Sequence, residues 1–138
     1  MHARSYYIDA VRLFLERGAR DAAETLFGEA LRHMPNFALP EGLHLDLACG
    51  MERTLKFQSA MHAYEHFVWR YPLSKEAPFV LLRMACIHEK RFSKPEAAYT
   101  CYRRLTNEYS SDRWAEHARE EITRLEGNDP FISLNDNK

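Results

Sequence analysis

Apolar residues recur along this chain at helical spacing, and the whole pattern then repeats at a longer interval. Tyr7, Ala10, Val11 and Phe14 fall on one face of a helix predicted from Tyr6 to Arg17, and Gly18 stands where a left-handed residue ends one. A second stripe follows in Ala23, Leu26, Phe27, Ala30 and Leu31, opened by Asp21 and Glu24 in capping-box spacing and closed by Pro35. The two stripes predict a helical hairpin. The pattern returns in Leu43, Leu47, Ala48 and Met51, then in Ala60, Ala63, Tyr64 and Phe67 before Tyr71-Pro72. It returns again in Val80, Leu81, Met84, Ala85 and Ile87. A capping-box pattern from Ser93 to Glu96, with Pro95 in the first turn, then introduces Ala98, Tyr102 and Leu105.

The interval is regular. Ile8, Leu45 and Leu82 stand 37 residues apart, and Ala23, Ala60 and Ala98 are spaced by 37 and 38. A period of this size with helical spacing inside it denotes stacked hairpins, whose function is carried by a shared surface rather than by one reactive residue. A last stripe from Trp114 to Leu125 puts Trp114, Ala115, Ala118, Ile122 and Leu125 opposite Glu116, Arg119, Glu120, Glu121 and Arg124, as expected of a helix that caps an open end. The expected organisation is a repeat domain over 1–126 and a flexible tail over 127–138. In that tail Phe131, Ile132 and Leu134 are either a loose end or a weak ligand exchanged between two copies of the chain.

The small and aromatic positions carry a resemblance. Tyr7, Gly18, Ala23, Phe27, Ala30 and Pro35, then Leu47, Ala48, Ala60, Tyr64, Phe67 and Pro72, then Met84, Ala85, Ala98 and Tyr102, resemble the tetratricopeptide repeat over roughly residues 5–125. The period exceeds the usual 34, which predicts longer helices or turns. The strings YPLSKEAPFVLLRMA and YSSDRWAEHAREEITRL also resemble the joints of long-repeat bacterial tetratricopeptide domains found in cell-envelope assembly and scaffold proteins. The resemblance implies an all-α, right-handed stack of three hairpins plus the capping helix, with the first helix of each repeat lining a concave groove. Aligned by the repeat, Ile8, Leu45 and Leu82 share one groove position and Arg12, Cys49 and Cys86 the next. Leu15, Glu52 and Glu89 follow a turn later, then Glu16, Arg53 and Lys90, so the implied groove has mixed charge at its rim. The same apolar trio also fits an ordinary core.

Composition narrows the partners. Nineteen basic residues against twenty acidic leave a net charge of −1, so no overall field draws the chain to nucleic acid or anionic lipid. Three cysteines, Cys49, Cys86 and Cys101, cannot all pair within one chain and show no CxxC spacing; reduced thiols and a cytoplasmic location are expected. The start of the sequence has no signal-peptide pattern, and no stretch reaches the length of a membrane span.

Candidate chemistry is sparse. His62 and His66 lie one helical turn apart without the intervening acid of a HExxH site, and Ala63, Tyr64 and Phe67 mark the buried side, leaving both rings outward. Cys49 and Cys86 are repeat-equivalent small residues; a nucleophile needs a base converging on it, and His88 sits on a different azimuth from Cys86. The expectation is a protein that is not an enzyme, with no cofactor and no metal, acting as an adaptor or assembly scaffold that holds a protein or peptide segment. Alternatives are a permanent subunit of a larger complex or, in another class, a metal- or thiol-dependent enzyme.

Overall fold

A computed structural model describes residues 3–135, which form helices and turns without a strand. In chain order the helices are α1 (Ala3–Glu16), α2 (Arg20–His33), α3 (Glu41–Arg53), α4 (Phe57–Arg70), α5 (Ala77–Lys90), α6 (Pro95–Glu108), α7 (Arg113–Asn128) and the short α8 (Ile132–Asn135). None of these is long and apolar enough to cross a membrane. The chain divides into two compact units, 1–63 and 64–138, where the sequence pattern expects a single repeat domain over 1–126.

In the first unit α1 packs against α2 and α2 against α3. The reversal after α1 is set by Gly18 at φ 76°, whose N–H donates to Leu15 while Ala19 donates to Phe14, the paired bonds of a Schellman cap. Leu55 repeats this after α3 at φ 66°, with Leu55 donating to Glu52 and Lys56 to Met51. A leucine in the left-handed region is strained by the approach of its Cβ to the backbone, and this side chain is 68% exposed, so no burial offsets the strain. Phe27, Phe37 and His44 form the aromatic part of the core. The fully buried His44 ring lies edge-on to Phe27, and its Nε2 donates to the Ala63 carbonyl at 2.8 Å, tying α3 to the first turns of α4.

Two polar ties complete this unit. Lys56 Nζ lies 2.7 Å from carboxylate oxygens of both Asp21 and Glu24. Arg20 lies across the backbone of α3 at Gly50, donating to the Asp46 carbonyl at 2.9 Å. A Cβ on residue 50 would stand only 2.7 Å from the guanidinium carbon, so glycine there lets Arg20 lie close against the helix, and a larger residue would push the arginine aside.

In the second unit α5 packs on α6, α6 on α7, and α5 also meets α7. Val80, Leu81, Met84, Ala85 and Ile87 of α5 and Ala98, Tyr102 and Leu105 of α6 are buried, as their stripes predict, and Ala77 is buried with them. The Tyr109 hydroxyl donates to the Pro72 carbonyl at 2.6 Å, and Tyr99 to Glu126 at 2.8 Å. Asp112 caps α7 by accepting from the Trp114 N–H at 2.8 Å.

The sequence expectations need three corrections. Neither capping box forms: α2 begins beyond Ala19 with the Asp21 carboxylate given to Lys56, and Ser93 adopts φ 53°, the left-handed position equivalent to Gly18 and Leu55. The last helix runs through Gly127 to Asn128. The tail then turns back, with Asp129 accepting from the Phe131 N–H and α8 touching α6 and α7, so that Ile132 is 1% exposed rather than loose. Phe131 stays 70% exposed. The Leu134 side chain and residues 136–138 lie outside the described part.

Replacing Ala60, which is fully buried, with leucine should overpack the first unit and cost about 1–3 kcal/mol; thermal melts read this directly, and an unchanged melting temperature would contradict the packing. Leu55→Gly should go the other way, adding about 1 kcal/mol by removing the left-handed strain, seen as a higher urea midpoint.

Candidate functional site

The expected groove residues lie on α1, α3 and α5, and their surroundings differ. In the first unit Ile8, Leu15, Leu45, Cys49 and Glu52 are half-buried, while Arg12 and Arg53 are exposed. Arg12 lies 3.6 Å from Asp9 on its own helix. In the second unit Leu82 is only 6% exposed and belongs to the core. Glu89 accepts from Arg124 of α7 at 2.7 Å, and Cys86 is half-buried near Tyr102, whose hydroxyl pKa is pushed up chiefly by burial; Lys90 alone of this set points into solvent. Apolar surface at the expected position is therefore carried by Ile8 and Leu45.

A different concavity is built into the first unit, along the second helix of the hairpin. One cleft of ≈ 470 Å³ opens among Asp21, Glu24, Gly28, Arg32, Lys56 and Ser59, with Met51 beneath. A second of ≈ 340 Å³ adds Phe27, Leu31, His62 and Ala63. They share Glu24, Gly28, Arg32, Met51 and Ser59, so they form one trough along α2. None of the expected groove residues lines it. Its floor is apolar and deeply buried: Phe27, Met51 and Ala63 are 3%, 5% and 0% exposed.

The trough is electrostatically two-ended. At one end two carboxylates, Asp21 and Glu24, share the single ammonium of Lys56, which draws Asp21 below its usual range, first through the hydrogen bond and then through the charge of Lys56. At the other end Arg32 is exposed and makes no ion pair among the described residues, with exposed His62 beside it on α4. Gly28 lies between the ends. A Cβ there would meet only the tip of Arg32, at 3.8 Å. This glycine is the signal that sequence reading passed over: an interior helical glycine with nothing packed on it.

Among the described residues the thiols and histidines form no grouped metal-binding set. Burial pushes the Cys101 thiol up to about 11, well away from a reactive thiolate. His66 packs on Trp69, with ring centroids 5.3 Å apart, and His44 is a core residue. Among the described residues no three His, Cys, Asp or Glu side chains are grouped to hold a metal. Compared with models of known protein families the sequence matches none, and no curated protein is significantly similar to it.

His88 has a titration shifted by its surroundings. It is half-buried against Phe92, its Nδ1 is buried without a hydrogen-bond partner, and desolvation holds its pKa below the ordinary 6.5 despite the favourable charge of Glu65; Lys94 lowers it further. The folded chain thus keeps the ring neutral where the unfolded chain protonates. Its contribution is complete above pH 6.5 and is lost as the pH falls through the depressed folded value. The urea midpoint should drop between pH 7.5 and 5.5, and His88→Leu should shrink that drop; an identical drop in the variant would assign it to other groups.

Proposed function

We propose that this chain is a tetratricopeptide-like protein-binding module that serves as a cytoplasmic adaptor or assembly scaffold. The observation that supports this best is the register of the hairpins. The second helices begin at Arg20, Phe57 and Pro95, at the 37- and 38-residue steps of the sequence repeat, and their equivalent alanines Ala23, Ala60 and Ala98 are all at 0% exposure. Repetition of that kind builds rigid surface, and a rigid surface binds a flexible partner without paying an ordering entropy of its own. Three cysteines that form no disulfide among the described residues fit a reducing compartment. The contacts in this reading lie on the first helices of the hairpins in each unit, with Ile8 and Leu45 as apolar contacts and Arg12, Glu52, Arg53 and, in the second unit, Lys90 selecting charge.

A second reading, a permanent subunit of a larger assembly, draws on exposed apolar side chains: Leu73 at 97%, Phe131 at 70%, Trp69 at 60% and Tyr6 at 57%. A standing interface would cover them.

Affinity capture from the source cell tests the binding module. Leu45→Glu, or Arg53→Glu with Lys90→Glu, should reduce stoichiometric partners at least tenfold at unchanged helicity by circular dichroism. A folded Leu45→Glu protein that keeps every partner moves the interface off the first helices, and capture of none contradicts the adaptor reading.

A further inference from the structure

The trough along α2 carries a cost that folding alone does not explain. Glycine inside a helix is less favourable than alanine by about 0.8–1 kcal/mol, and such a residue is retained where something must come close to the backbone. At Gly50 that something is visible: the Arg20 guanidinium occupies the space a Cβ would take. At Gly28, near the middle of α2, the same space is open and lies in the trough between Glu24 and Arg32. The second anomaly is Leu55, next to Lys56 at the rim, where the equivalent residue of the first hairpin is Gly18. Local preferences are thus inverted twice beside one concavity, glycine where alanine is better and leucine where glycine is better. Inversions of this kind mark surfaces selected for something other than stability.

The lining specifies what would fill the space. Phe27, Leu31 and Met51 offer an apolar floor, and methionine adapts its shape to what it meets. The acidic end, two carboxylates against one ammonium with Asp21 largely in solvent, suits a cationic side chain. The Arg32 end suits a carboxylate, which a guanidinium holds in a forked pair of hydrogen bonds. Between Asp21 and Arg32 the helix rises about 16 Å, room for about five residues of extended chain.

We propose that this trough is a peptide-docking site. Its occupant is a short extended segment of a partner protein: a basic residue over Asp21 and Glu24, two apolar side chains on Phe27, Leu31 and Met51, and an Asp or Glu on Arg32, with the segment's backbone crossing at Gly28. The proposal rests on the protein-binding reading but places the contact on the second helices instead of the first.

The test is selection of a random dodecapeptide library on phage against the full 138-residue chain, followed by fluorescence polarisation with the selected peptides. The expected sequences run basic, apolar, apolar, acidic. Arg32→Glu should weaken them at least tenfold, and changing the peptide's acid to lysine should restore binding to that variant alone. Gly28→Leu should also weaken them at least tenfold while raising the melting temperature by about 3 °C, a pairing that a merely damaged fold does not produce. Peptides abolished by Leu45→Glu and spared by Gly28→Leu would overturn the trough and leave the protein-binding reading standing. No enrichment over an unrelated helical protein would overturn both.

Discussion

Close approach of helix backbones is the constraint on which the hairpins depend. Two helices that meet at alanine come nearer than two that meet at leucine, and Ala23, Ala60, Ala98, Ala115 and Ala118 are all fully buried. Larger residues then close the remaining gaps beside them, Phe27 in the first unit and Tyr102 in the second. The chain must also reverse abruptly after each first helix. It does so by placing one residue in the left-handed region, Gly18, Leu55 or Ser93, at equivalent points in the sequence. Side-chain ties fix the reversal where the backbone is least favourable: Lys56, following strained Leu55, is held by two carboxylates of α2.

The helices were largely legible because their stripes are periodic and several of their bounds are marked by glycine or proline. Gly18 is left-handed as its position implies, and Pro95 opens α6. The capping boxes were misread for a definite reason. A spacing such as Asp21 to Glu24 states only that a cap is within reach, and here a lysine 35 residues away competes successfully for the aspartate. Sequence spacing is blind to such a distant partner. Leu55 escaped notice because a leucine gives no local hint of a left-handed backbone.

The surface was harder to read than the core. Repeat alignment treats Ile8, Leu45 and Leu82 as equals, yet the first two are half-buried and the third is core, because what covers a residue depends on its neighbours in space. Glu89 looks like a free groove charge in sequence and is tied to Arg124 across a helix interface. The trough on α2 draws on three helices, and its local mark, Gly28, lies off the apolar stripe among Asp21, Glu24 and Arg32, where a pattern of buried positions does not reach.

The four-residue helix at the end of the described chain bears on how the protein is handled. Sequence pattern invites truncation near Gly127, where the amphipathic stripe stops. Such a cut would discard Ile132, a side chain held at 1% exposure against α6 and α7, and leave a hole where it sat. Losing a buried aliphatic side chain of this size typically destabilises a domain by about 2–5 kcal/mol. A shortened protein would then aggregate or degrade more readily than the whole chain, and its poor behaviour would be mistaken for intrinsic fragility of the repeats. Fusion partners and affinity tags are best joined at the N-terminus, or beyond a C-terminus left intact.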